Sequence, residues 1–129
     1  MCIRDSNRQG YISVAQQLQS RFGLKTVAIT LRESLSANDN NWGAMLYHEG
    51  QAYFSPTYHI HIVDRVGGGD SFGAGLIYSL LAEKGQQDAI NFAAAASCLK
   101  HTIEHDANLV SIEEVESLVA GNSTGRVQR

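Results

Sequence analysis

Apolar residues at Tyr11, Val14, Ala15, Leu18 and Phe22 recur every three or four positions, the spacing of one helix face. Gly23 follows in the usual place for a glycine after a helix. Residues 26–31, Thr-Val-Ala-Ile-Thr-Leu, are short, continuous and rich in β-branched side chains. Such a run predicts a strand buried on both faces, as in a parallel sheet. Polar residues then dominate 32–41, which reads as a loop. Residues 43–48 and 51–54 read as two short strands joined at Glu49-Gly50, a weaker hairpin signal than Asn-Gly. Tyr58, Ile60 and Ile62 alternate with His59, His61 and Val63 and predict a further strand.

Three helices complete the pattern. Phe72, Leu76, Ile77, Leu80 and Leu81 mark one over 71–84, stopped by Gly85. Ala89, Phe92, Ala93, Ala96 and Leu99 mark the next, with side chains small enough for close approach of a neighbouring backbone or a ligand. Ser111 to Glu114 forms a capping box that opens the last, whose apolar face is Ile112, Val115, Leu118 and Val119. Residues 122–129 have little to bury and read as a loose tail. The fold class is α/β, with few strands for so many helices, so the sheet is expected to be incomplete.

Composition narrows the classes of function. The chain has 129 residues, 43% hydrophobic and 18% charged, a globular rather than disordered balance. Ten Lys and Arg against 13 Asp and Glu give a net charge of −3, which argues against general binding to nucleic acid or an anionic membrane. No apolar run approaches the ~18 residues of a membrane span, and residues 1–10 lack the apolar stretch of a secretory signal. Cys2 and Cys98 fit no disulfide framework or zinc site; Cys98 reads as buried, in a reducing cytoplasm.

The candidate chemistry lies in Asp64-Arg65-Val66-Gly67-Gly68-Gly69-Asp70-Ser71-Phe72-Gly73-Ala74-Gly75, between a predicted strand and a predicted helix. Unpaired N–H groups at a helix start, approached through glycines without Cβ atoms, make a phosphate cradle. It is not a P-loop, which needs Gly-Lys-Ser/Thr where Gly69-Asp70-Ser71 stands. Nor is it a dinucleotide fingerprint, because Phe72 occupies the place of the third glycine. Asp70 has two readings: a helix cap, or a general base that accepts a proton from a hydroxyl attacking a phosphoryl group.

Other polar and aromatic groups have ordinary readings. His59 and His61 share one strand face without a third metal ligand in view. His101 and His105 have the spacing of a zinc protease helix, but Thr102 stands where its glutamate belongs. Trp42, Tyr47, Tyr53 and Phe54 suit hairpin packing better than stacking on a base.

The turn and the helix after it resemble the signature of the ribokinase-like PfkB carbohydrate kinases, Asp-Thr-x-Gly-Ala-Gly-Asp-x-Phe-x-x-Gly, with Arg65 and Gly68 as departures. The order Asp-Arg-Val-Gly-Gly-Gly-Asp-Ser-Phe resembles the form found in 2-dehydro-3-deoxygluconate kinases. So do Lys25 with residues 29–32, Lys100-His101-Thr102, and the closing 125–129. The resemblance implies the C-terminal portion of a three-layer α/β/α kinase over 7–121, preceded by six residues foreign to the family. It implies ATP and Mg²⁺ as cofactors, with a monovalent cation near Asp64, and a sugar acid as substrate. Asp70 would be the catalytic base, and the amides of Gly67, Gly68, Gly69 and Asp70 the anion hole. Thr30, Arg32, Ser34 and Ser36 would run beside the nucleotide, although Arg32 departs from the usual Leu-Gly. Ala93, Ala96 and Ser97 would wall the adenine pocket, and Asp106 would lie near the sugar.

The family's N-terminal half, with most of the sugar pocket, the lid and an Asn-x-x-Glu motif tied to magnesium, has no counterpart here. No asparagine of the chain is followed by glutamate three residues on. Homo-oligomers would form through that lid. The alternatives are another PfkB-type sugar or nucleoside kinase, a non-catalytic nucleotide-binding fragment, and, remotely, a scaffold domain.

Overall fold

The computed structural model describes residues 5–63, 67–102 and 111–121. The elements run α1 (Asp5–Phe22), β1 (Thr26–Ser34), β2 (Asp39–His48), β3 (Gln51–Phe54), β4 (Tyr58–His61), α2 (Gly68–Leu81), α3 (Gln86–Lys100) and α4 (Ile112–Gly121). Asp64, Asp106 and the tail 122–129 lie outside the described residues.

The sheet is antiparallel, with β2 at its centre. β1 pairs along one edge of β2 from Thr26↔His48 to Ser34↔Asn40. The other edge takes β3 at one end, Met45↔Phe54 to His48↔Gln51, and β4 at the other, Asp39↔His61 to Trp42↔Tyr58. Between these ladders Gly43 and Ala44 face three residues, Ser55, Pro56 and Thr57, which makes a bulge. Pro56 is accommodated there because a bulge demands no ladder N–H. Ser55 closes the gap: its N–H donates to Ala44 O at 2.9 Å, and its hydroxyl accepts the Ala44 N–H at 2.9 Å.

Two expectations change. The segment 32–41 is not one long loop, since β1 continues to Ser34 and β2 starts at Asp39. The strand covered on both faces is β2, not β1, and the pairing is antiparallel. Trp42, Ala44 and Leu46 face α3, while Met45 and Tyr47 face α1. β1 lies beside this centre and is buried only at Val27 and Leu31. The hairpin turn is as expected, with Glu49 and Gly50 at φ 50° and 78°, the left-handed pair that matches strand twist.

Three layers result: α1, the sheet, and α3 with α2 and α4 packed against it. The helix faces differ from those the apolar spacing suggests. α1 packs through Tyr11, Ile12, Ala15 and Leu18, leaving Val14 and Phe22 exposed. Periodicity alone does not separate these stripes, because both have helical spacing. α2 turns Gly68, Ser71, Phe72, Gly75 and Ser79 inward, while Ile77, Leu80 and Leu81 face outward. Small residues win the buried face because α3 runs so close: a Cβ on Gly75 would lie 3.3 Å from Ala93 Cα and 3.3 Å from Ala96 Cβ. α3 is buried from Phe92 to Lys100, covered by sheet and helices together. The α4 capping box forms, with Glu114 N–H on Ser111 Oγ at 3.2 Å and Ser111 N–H on Glu114 Oε1 at 3.4 Å.

Candidate active site

The glycine turn enters α2 at Gly67, the N-cap, with φ 81° and ψ 1°. That left-handed conformation favours glycine. The helix therefore begins three residues earlier than the apolar spacing suggests. Ser71 N–H is the donor to Gly67 O, at 2.9 Å. The N–H groups of Gly68, Gly69 and Asp70 come before that bond and lack intrahelical acceptors. They form the positive end of the helix dipole.

Asp70 is the third helical residue, exposed in the first turn. The capping position belongs to Gly67, so Asp70 is not the N-cap. It shares the first turn of α2 with these amides. Gly69 is open, and a Cβ there would meet nothing within 4 Å. Gly68 is closed: a Cβ would lie 2.6 Å from His101 Cε1 and 2.8 Å from Nε2.

A cavity of about 230 Å³ lies beside Ser71, the residue after Asp70, between α2, α3 and the start of α4. Gly75, Tyr78, Phe92, Ala96, Ile112 and Val115 line it, so its walls are mainly apolar. Such a slot suits a flat, weakly polar group held by packing.

Of the three wall residues on α3, Ala96 lines this cavity. Ala93 is fully buried against Gly75, and the Ser97 hydroxyl donates to Gly68 O at 2.8 Å. Thr30, Arg32 and Ser34 sit on β1, with Ser36 in the turn after it, and none of the four lines the cavity. The Arg32 guanidinium lies 5.0 Å from the centre of the Trp42 ring. Ser34 donates to Asn40 Oδ1 at 3.3 Å, and Ser36 to Asp39 Oδ2 at 3.2 Å.

The chain matches the model of the pfkB family carbohydrate kinases over residues 4–110. It belongs to the pfkB family. Among solved structures, a 2-dehydro-3-deoxygluconokinase from Thermotoga maritima is 51% identical, with a TM-score of 0.85 over 88% of this chain and 35% of that one. A PfkB family carbohydrate kinase from Listeria grayi is 31% identical, with a TM-score of 0.78 over 81% of this chain and 33% of its own. Among curated proteins, the 2-dehydro-3-deoxygalactonokinase of Haloferax volcanii is 30% identical over 113 residues, 88% of this chain and 33% of the relative. The pfkB chain thus spans about a third of these relatives. The ribokinase-like α/β architecture expected from the glycine turn holds.

His59 and His61 make hydrogen bonds across the β2–β4 pair. His59 Nδ1 meets Asn41 Oδ1 at 3.2 Å, and His61 Nδ1 meets Asp39 Oδ1 at 3.0 Å on the exposed sheet surface. His61 holds the Asp39 carboxyl below its ordinary value, chiefly through that hydrogen bond. Among the described residues no group of three or more His, Cys, Asp or Glu could hold a metal ion. No helix among them is long and apolar enough to cross a membrane. Cys98 is fully buried, and burial pushes its thiol well above the ordinary value. Sequence reasoning left two parts of the site unassigned: His101 beneath Gly68, and the cavity residues Tyr78, Phe92, Ile112 and Val115. The signal for the first was Gly68 itself, since a glycine on a helix face marks a close neighbour.

Proposed function

We propose that this chain carries the phosphoryl-transfer portion of an ATP-dependent sugar acid kinase acting on the terminal hydroxyl of 2-dehydro-3-deoxy-D-gluconate. The observation that carries the reading is the pairing of three unbonded amides at the start of α2 with an exposed carboxylate, Asp70, in the same turn. Asp70 would accept the proton of the attacking hydroxyl. The amides of Gly67 to Asp70 would hold the charge that develops on the transferring phosphoryl oxygens. The apolar cavity beside Ser71 would take the nucleotide base, with Ala96 as one wall and Ala93 and Ser97 behind it. Thr30, Arg32, Ser34 and Ser36 would approach the nucleotide from β1 and its turn.

The amide cradle fits a phosphate. Mg²⁺, which the family implies, would neutralise phosphate charge; the described residues offer no cluster of three or more His, Cys, Asp or Glu to hold it. Asp64, read as the monovalent-cation residue, and Asp106, read as the sugar residue, would complete the site. The setting is a reducing cytoplasm, consistent with the buried free thiol of Cys98.

The names of the relatives separate two epimeric substrates, a gluconate and a galactonate type. Steady-state kinetics with ATP on both sugar acids, ribose, fructose and a nucleoside will test the assignment. The highest kcat/KM is expected for 2-dehydro-3-deoxy-D-gluconate. A preference for another sugar would reassign the substrate, and ATP binding without transfer to any would leave a nucleotide-binding module.

A further inference from the structure

Ser97 and His101 stand four residues apart across the C-terminal end of α3 and grip the glycine turn from beneath. Ser97 Oγ donates to Gly68 O at 2.8 Å. His101 Nδ1 lies 2.7 Å from Ser97 O, and because a carbonyl only accepts, that nitrogen carries the proton. The imidazole fills the space where Gly68 lacks a Cβ. The backbone carbonyl of His101 accepts the Val63 N–H at 2.9 Å. Residues 63 and 68, on either side of the turn, are thus tied to one end of α3. Trp42 meets the imidazole at 5.0 Å between ring centres, tilted by 56°. Ser97, His101 and Trp42 are 0%, 1% and 4% exposed, so no solvent competes for these contacts.

We propose that Ser97 and His101 are positioning residues that hold the glycine turn, and with it the Gly68–Asp70 amides and the Asp70 carboxylate, in one fixed arrangement. Preorganised donors stabilise a transition state only if they need not move to meet it. The catalytic consequence rests on the kinase reading; the clamp itself does not. It also gives Ser97 a task other than touching the nucleotide.

Hydrogen exchange tests the clamp without substrate. In Ser97→Ala the amides of Val63 and Ser71 are expected to exchange about tenfold faster, while those of Met45 and Leu46 in β2 keep their rates, the mark of local opening. Unchanged exchange, or equal acceleration in both places, would overturn the proposal. His101→Asn, which keeps a donor for Ser97 O but loses the ring, should loosen the turn less than His101→Ala. Equal effects would refute the role of the Nδ1 bond. In the kinase assay Ser97→Ala should lower kcat about tenfold at unchanged sugar KM, in keeping with the sensitivity of reaction to small misplacements. Gly68→Ala should cost more, and His101→Ala in the same chain should recover part of that loss. An unaltered kcat beside faster exchange would refute the catalytic role. If the unsubstituted protein phosphorylates no sugar, the catalytic consequence falls and exchange alone decides the clamp.

Discussion

At the residue scale, Asp70 and Gly68 show what single side chains do at this helix start. Asp70 is exposed in the first turn of α2, which also holds the amides proposed as the anion hole. Asp70→Asn keeps its size and removes its basicity. It is expected to lower kcat by roughly a hundredfold to ten-thousandfold, the usual contribution of a general base, at an unchanged melting temperature. Undiminished turnover would remove Asp70 from the mechanism. The Asp70 candidate was legible because an acidic residue beside three glycines is unusual chemistry. The cap reading failed for a reason invisible in spacing: the left-handed Gly67 starts the helix earlier and puts Asp70 inside it. His101 was legible only as a polar helix end, because its task depends on Gly68, 33 positions away in the chain.

At the element scale, the contact between α2 and α3 is the main device. It is built from small residues and two hydrogen bonds, Ser97 to Gly68 O and Ser71 Oγ to Ala96 O at 3.2 Å. Gly75 and Gly73 separate packing from intrinsic helix preference. A Cβ at Gly73 meets nothing within 4 Å, so Gly73→Ala should raise stability by about 1 kcal/mol through helix propensity. At Gly75 a branched side chain would drive α2 away from Ala93, so Gly75→Val should cost about 1–3 kcal/mol. Urea unfolding midpoints of the two variants will move in opposite directions; a common direction would mean that the α2–α3 contact does not depend on close approach at Gly75. The existence of these helices was legible from periodicity. The inward face of α2 was not, since Ile77, Leu80 and Leu81 of its apolar spacing point outward.

At the scale of the whole molecule, α3 is enclosed by the sheet and by α2 and α4, and Tyr58 of β4 belongs to the same core. Tyr58 is fully buried, and its phenol is pushed up to about 12, first by burial and then by the neighbouring Cys98. The fold therefore favours the neutral phenol. Its contribution is fully present below the ordinary value of 10 and is lost as pH rises from there toward 12. Chemical denaturation at a series of alkaline pH values should show stability falling across that window, and falling less in Tyr58→Phe. Identical slopes for both proteins would contradict the burial of this phenol. The sequence alone determined the α/β class, most of the element order and the glycine turn, because these rest on short-range spacing and local backbone preference. Tertiary structure decided which strand lies at the centre, which helix faces turn inward, and what supports the turn. Those depend on contacts between residues far apart in the chain, where close approach of α2 and α3 outweighs the side-chain hydrophobicity visible along either one.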